Sequence, residues 1–374
     1  MAIAMNRRIG AIAHFDAFMA DCPRALAGWG RKPSGVRAQH WAQSWLGRRL
    51  GLESVLVEDG FLCSLEREGP RLSLLLDDLG VYYDASAPSR MERCIAEGVG
   101  PMAAARAQRL MALWRQGGLS KYNHTPDAPA ALAGAPGRQG PIQQTPMRQA
   151  PVGHVLVVDQ CRGDMSIAGG LAGPADFARM LDAALVEHPQ ATVVVKTHPD
   201  AHSHGRPGCF APAALAHPRV VVIDQPCHPH QLIRQALAVY TVSSQIGFEA
   251  LVHGVPVRCF GMPFYAGWGL SEDEMAPPAR RGSACLASLA HAAFVALARY
   301  VDPASGTPWR AEQAFAHAAS WLAARRAAGA APNLAPNLAA GMAAGRSAPA
   351  RRPLAAAPPE AAAWAALARG KALA

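Results

Sequence analysis

None of the eight cysteines, at 22, 63, 94, 161, 209, 227, 259 and 285, forms a CxxC pair or a spacing that zinc would take. A structural zinc module is therefore excluded, and reduced, mostly buried thiols of a cytoplasmic protein are expected. Long apolar runs are missing too. Hydrophobic residues make up 51% of the chain, but alanine supplies much of that, and no stretch of about 18 strongly apolar residues occurs. No membrane-spanning helix is expected. The opening segment "MNRRIGAIAHFDAFMADC" carries Arg7 and Arg8 like a signal peptide, yet His14 and Asp16 break its apolar stretch and no clean cleavage site follows. It reads as a first amphipathic helix or strand.

Two ligand motifs are lacking as well. "GGLAG" at 169–173 has neither the GxGxxG spacing nor an acidic strand end after it, which excludes a dinucleotide fingerprint. The acids of "LLDDLG" are contiguous and follow an apolar strand, so no metal-binding DxD loop is present and no metal is expected. Acidic residues are scarce, 27 against 36 Lys and Arg, giving a formal charge of +9 that favours an anionic partner. Without a basic, aromatic-rich module nucleic acid is a poor fit, which leaves a phosphorylated substrate or an anionic lipid surface.

What is present is an α/β pattern given twice. At 374 residues two domains are expected. Residues 1–116 hold strand-like "SVLVEDGFL" and "LSLLLDDLGVYYD", then helical "RMERCIAEGV" and "MAAARAQRLMALWRQ". Residues 117–151, rich in Gly, Pro and Gln, read as a linker. From 152 to 326 short Val-rich strands ("HVLVVDQ", "ATVVVKTHPD", "RVVVID", "VYTVSS", "VPVRCFG") alternate with helical segments, the pattern of a doubly wound parallel sheet. Residues 327–374 are rich in Ala and Pro and read as a disordered tail.

Ligands of such sheets sit beyond the carboxyl ends of the strands. Asp159, Asp164, His198, Ser243 and Ser244 all follow predicted strands there. "TVSSQIGFEAL" runs from a strand straight into a helix, so free N–H groups, the Ser243 and Ser244 hydroxyls and Glu249 suit a phosphate and a ribose, or else are a helix cap and its dipole partner. His198, after Lys196 in "VVVKTHPD", suits a phosphoryl oxygen or a structural hydrogen bond. Asp159 can order the turn after its strand, whereas Asp164, farther out in a glycine-rich loop, can attack an electrophilic carbon or remain solvated. Tyr265 and Trp268, in "FGMPFYAGWGL", form a sugar-stacking wall or interdomain packing. Glu58, Asp59, Asp77 and Asp78 close strands of the first half, and either face a cleft or are turn acids in water.

The strings "VEDGFL", "SLLLDDLGVYYD", "LSKYN", "VLVVDQCRGDMSI", "VVKTHPD", "TVSSQIGFEALVHGVPVRCFGMPFYAGWGL" and "RYVDP" resemble, in that order, the capsule polysaccharide biosynthesis family of KpsC type, over about residues 25–325. The resemblance implies two Rossmann-like domains facing a cleft, a GT-B-like glycosyltransferase with its acceptor on the N-terminal side. It implies retaining transfer of 3-deoxy-D-manno-oct-2-ulosonic acid (Kdo) from CMP-β-Kdo, with no further cofactor, to a lipid-linked glycan at the cytoplasmic face of the inner membrane, beside capsule assembly and export proteins. Asp164, in the pattern Gln160 to Ser166, becomes the nucleophile. His198 and Lys196 fall near the CMP phosphate, and Ser243, Ser244, Gly247 and Glu249 at phosphate and ribose. Relatives of this type carry two such modules in tandem; the resemblance covers one here. A transferase using another nucleotide sugar and a non-catalytic export protein are the alternatives.

Overall fold

The computed structural model describes residues 2–127, 153–198 and 205–330. They form two six-stranded sheets. The first contains β1 (Ile3–Ala4), β2 (Ala25–Trp29), β3 (Glu53–Asp59) and β4 (Ser73–Asp77). The second contains β5 (His154–Val158), β6 (Val193–Lys196), β7 (Val220–Ile223), β8 (Ala236–Thr241), β9 (Val257–Cys259) and β10 (Glu272–Asp273). Two late strands, β11 (Ala298–Val301) and β12 (Pro308–Trp309), return to the first sheet.

The second sheet is parallel throughout, in the order β10-β9-β8-β5-β6-β7. Its central strands carry Val, Leu or Ala on both faces because helices cover both. Val155 and Val157 pack with Phe177 and Met180 on one side, while Leu156 and Val158 join the larger cluster on the other. This is the period-two alternation of a strand buried twice over. The order reverses direction between β5 and β8, which makes that gap the switch point of the sheet.

The first sheet is mixed, with order β1-β2-β3-β4-β11-β12 and antiparallel pairings from β3 onward. Here the structure departs from the expected domain bounds. Strands β11 and β12, within the span assigned to the second domain, cover the otherwise open edge of β4. The helix Pro101–Gly117 packs against the final helix Ala311–Ala330, with Trp114 against Phe315 and Arg106 paired to Glu312 at 2.7 Å. One apolar cluster consequently runs from Leu72 and Leu75 of the first half to Leu156 and Val194 of the second.

Two further bounds shift. The start of the expected linker is folded: Cys63 N–H donates to the Lys121 carbonyl, and Asp127 pairs with Arg326 at 2.6 Å. Residues 327–330 belong to the last helix, not to a tail. The remainder of both segments, 128–151 and 331–374, lies outside the described residues. The opening segment buries Ile9, Phe15 and Phe18 against the first sheet. All eight cysteines are free thiols, five of them buried, Cys22 and Cys94 half-buried and Cys285 exposed. No helix among the described residues is long and apolar enough to cross a membrane.

Candidate active site

A cavity of about 480 Å³ opens between the two sheets, at the carboxyl ends of β5, β6 and β8. Asp59, Gln160, Asp164, Ser166, Lys196, His198, Ser243, Ser244 and Glu249 all line it. Nine candidates scattered over 190 positions thus meet in one place.

The β5 loop is built from its base upward. Asp159 Oδ1 accepts from the N–H groups of Gln160 at 2.8 Å and Cys209 at 2.9 Å, tying the strand end to the 205–209 segment. This is the turn-ordering use of an aspartate. Gln160 then crosses the switch point: its Oε1 accepts from Ser243 N–H at 2.9 Å, and its Nε2 donates to the Ser166 and Ser243 hydroxyls at 3.1 and 3.0 Å. Asp164 caps the short helix Met165–Gly169, its Oδ1 accepting from Ser166 N–H at 2.9 Å. One oxygen is thus engaged in the cap, and the residue lines the cavity.

Lys196 ends β6 with its Nζ buried and without a hydrogen-bond partner among the described residues. Burial pushes its ammonium below the ordinary value, and the neighbouring Cys227 only partly opposes this. A buried cation without a counter-charge is costly, and the open cavity beside it is where an anion would meet it.

The helix Gln245–His253 follows β8, capped by Ser244. The amides leading into it are not free as expected: Ser243 N–H is held by Gln160, Ser244 N–H donates to Thr241 Oγ1 at 3.0 Å, and within the helix Ile246 N–H donates to Ser244 Oγ at 3.3 Å. Glu249 has an unforeseen task. Its Oε1 accepts from the Ser120 hydroxyl at 3.0 Å, Lys121 N–H at 3.2 Å and Gln245 Nε2 at 3.2 Å, clamping the 119–123 segment onto the helix. Its Oε2 is buried and unpartnered among the described residues, and burial lifts the carboxyl to about 7.

Five expected residues lie elsewhere. Tyr265 and Trp268 are buried at 0% and 1% exposure, so neither can stack on a sugar. Tyr265 donates to the Ser244 carbonyl at 2.6 Å, bracing the start of the helix, and Trp268 donates to the Phe264 carbonyl at 2.8 Å within its own loop. Gly247 serves that packing rather than a phosphate: a Cβ there would sit 2.2 Å from Tyr265 Oη and 2.9 Å from Thr241 Cγ2. Gly247→Ala is expected to destabilise the fold by about 1–3 kcal/mol through overpacking, read as a lower thermal midpoint that Tyr265→Phe partly restores. Asp78 pairs with Arg90 at 2.6 Å on the surface, and Asp77 caps the helix Arg90–Glu97 through Arg90 N–H at 3.0 Å. Those are the turn and cap uses of an acid.

The first half supplies residues that sequence reasoning undervalued. Glu58 lines the cavity beside Asp59 and Tyr83, and burial, with Asp59 adding, lifts its carboxyl from 4.5 to about 7. Lys121 reaches the same wall. Burial works against its ammonium, but Tyr122, Tyr82, Asp59 and Cys63 outweigh that and hold its pKa well above the ordinary value. Lys121 was hidden by its position at the start of a Gly/Pro-rich stretch; the flanking "LSKYN" was the available signal.

A polar cleft facing the switch point of a doubly wound sheet defines a two-sheet α/β ligand-binding protein. The chain belongs to the capsule polysaccharide biosynthesis protein family, whose model matches residues 24–300. It is 36% identical over 294 residues to capsule polysaccharide modification protein LipA of Neisseria meningitidis serogroup B, covering 75% of this chain and 39% of that one. It is 33% identical over 264 residues to lipopolysaccharide-processing protein LpsZ of Rhizobium meliloti, covering 69% and 57%. The chain therefore spans well under two thirds of these curated relatives. Among solved structures it resembles the KpsC beta Kdo 2,4 transferase of Thermosulfurimonas dismutans, with TM-score 0.71, 33% identity and coverage of 85% of this chain and 97% of that one. The beta Kdo 2,7 transferase of the same KpsC matches in fold, with TM-score 0.55 and 24% identity.

Proposed function

We propose that this chain is a retaining β-Kdo transferase of GT-B type, moving Kdo from CMP-β-Kdo to a lipid-linked glycan in capsule polysaccharide assembly. It works at the cytoplasmic face of the inner membrane and needs no cofactor. The observation that carries this is the meeting, in one cavity between two sheets, of the helix-capping carboxylate of Asp164 and the buried ammonium of Lys196, which has no hydrogen-bond partner among the described residues. The likeness to a beta Kdo 2,4 transferase supports the choice of sugar.

In the first step an Asp164 oxygen attacks the anomeric carbon of Kdo, and the bond from that carbon to the phosphate oxygen breaks, its electron pair leaving with CMP. CMP departs as a phosphate monoester of low basicity, so charge stabilisation matters more than acid catalysis. Lys196 and His198 supply it, and the Gln160–Ser166–Ser243 network holds the loop while Glu249 accepts from ribose. In the second step an acceptor hydroxyl attacks the same carbon, releasing the Asp164 carboxylate. Two inversions give retention.

The acceptor's proton goes to Glu58. A base must be deprotonated to work, so transfer to acceptor is expected to rise as pH rises through about 7. Glu58→Gln should remove that limb and lower turnover by roughly 10²-fold or more. An unchanged profile would assign the proton elsewhere. The function itself is tested by incubating the protein with CMP-Kdo and a Kdo-terminated glycan and determining the anomeric configuration of the product. A new β-linked Kdo is expected; transfer only from another nucleotide sugar would overturn the donor, and an α-linked product the mechanism.

A further inference from the structure

Nine large hydrophobic side chains are exposed among the described residues, and four of them fall within residues 36–50: Val36, Trp45, Leu46 and Leu50. Trp45 is 69% exposed. Local structure explains why they point outward. Ser44 caps the helix Trp45–Arg49 by accepting from Gly47 N–H at 3.0 Å. Gly47 is the buried stripe of this helix, pressed so closely that a Cβ would lie 2.1 Å from the Trp41 carbonyl oxygen. With the helix pinned at Gly47, positions 45, 46 and 48–50 face out.

The charge of this region is of one sign. From Cys22 to Leu52 there is no Asp or Glu, but six Lys and Arg. Arg31 is paired with Asp84, and Lys32 lies over the Trp29 ring at 5.4 Å. Arg24, Arg37, Arg48 and Arg49 have no carboxylate within salt-bridge distance among the described residues. Arg49 stacks over Trp45 at 5.5 Å, and Arg24 reaches Gly51. The acids that bound the stretch do not neutralise it: Asp21 pairs with Arg299, 3.4 Å away, and Glu53 begins β3. Exposed tryptophan and leucine ringed by unpaired arginine is a combination suited to the headgroup level of an anionic bilayer.

The patch is connected to the cleft. Trp29 and Lys32 line the cavity, and the helix Pro33–Gln43 runs from them to the Trp45 turn. Eleven residues of α-helix span about 16 Å. An acceptor rooted in the bilayer would therefore stand beside the cavity rim.

We propose that the Trp45 face docks on anionic lipid, with Trp45, Leu46 and Leu50 entering the headgroup boundary and Arg48 and Arg49 meeting lipid phosphates. The proposal concerns a surface outside the cavity, so CMP binding tests the transferase assignment separately. The full chain is sedimented with vesicles of phosphatidylethanolamine and phosphatidylglycerol, and with vesicles of phosphatidylcholine alone. Binding to the anionic vesicles is expected, weakening with added salt, and it should fall at least ~10-fold in Trp45→Ser/Leu46→Ser/Leu50→Ser and in Arg48→Glu/Arg49→Glu. Both variants should keep the parent's circular dichroism and its CMP-induced thermal shift. Retained vesicle binding by both variants, or equal binding to phosphatidylcholine, would overturn the proposal. So would a dimer in solution that the Trp45 variant dissolves, which would make the face a contact between copies.

Discussion

Asp164→Asn is expected to abolish transfer, by about 10³-fold or more in turnover, while leaving fold and CMP binding intact. Asparagine caps a helix as well as aspartate does, so the short helix Met165–Gly169 keeps its start and the Gln160–Ser166–Ser243 network its geometry. What is lost is the anionic oxygen that forms the bond. The contrast between lost turnover and retained binding separates a nucleophile from a residue that merely shapes the loop. Thermal melts with and without CMP, read beside the transfer rate, check both halves. An Asp164→Asn protein that still transfers at near the parent's rate would remove Asp164 from the chemistry.

The second large effect is expected at Lys196, with opposite signs in stability and binding. Lys196→Met replaces a buried cation that has no partner among the described residues by an apolar chain of similar length, so the unliganded protein should melt no lower than the parent. Donor affinity should fall, because a charge-assisted hydrogen bond to phosphate or to the Kdo carboxylate is gone. At about 2–3 kcal/mol for such a bond, Kd rises roughly 30- to 150-fold. Calorimetric titration with CMP and with CMP-Kdo checks it and assigns the contact: a loss seen with both ligands places the phosphate at Lys196, and a loss seen only with CMP-Kdo places the sugar carboxylate there. A variant that melts lower and binds both ligands normally would make Lys196 structural.

Much of the second half was legible because its physics is local. A strand buried on both faces reads as a near-continuous apolar run, and the fully buried β5, HVLVV, and β6, VVVK, do. Once that sheet is recognised as parallel, the rule that ligands sit past the carboxyl ends picks out Gln160, Asp164, Lys196, His198 and Ser243 without any knowledge of distances. The first half was less legible for the same reason. The strand β2, "ALAGW", is alanine-rich, and the helix Pro33–Gln43 buries only Ser34, Gly35, Ala38 and Ala42, so neither carries a strong apolar period. β11 is recognisable only through its pairing with β4, more than 220 positions earlier, and pairing at that distance leaves no local trace.

Side-chain destinations were the harder matter. Nothing in "FGMPFYAGWGL" distinguishes an aromatic wall facing a sugar from two rings buried in the core; that Tyr265 Oη meets a carbonyl and crowds Gly247 is a fact of packing. Likewise Asp77, Asp78 and Asp59 look alike in sequence. The first caps a helix, the second pairs with Arg90 in water, and only Asp59, paired with Arg71 at 2.6 Å, lines the cavity. Glu249 shows a mixed outcome: it reaches the cavity, but one of its oxygens is occupied in holding the 119–123 segment that brings Lys121 to the same wall.

The central claim is a covalent intermediate on Asp164, and intact-protein mass spectrometry after brief incubation with CMP-Kdo and no acceptor tests it most directly. The account predicts a protein heavier by one Kdo residue, the added mass mapping to the peptide that contains Asp164, absent from Asp164→Asn and discharged when acceptor is supplied. Product formed at a normal rate with no adduct at any time, or an adduct that persists in Asp164→Asn, would contradict it.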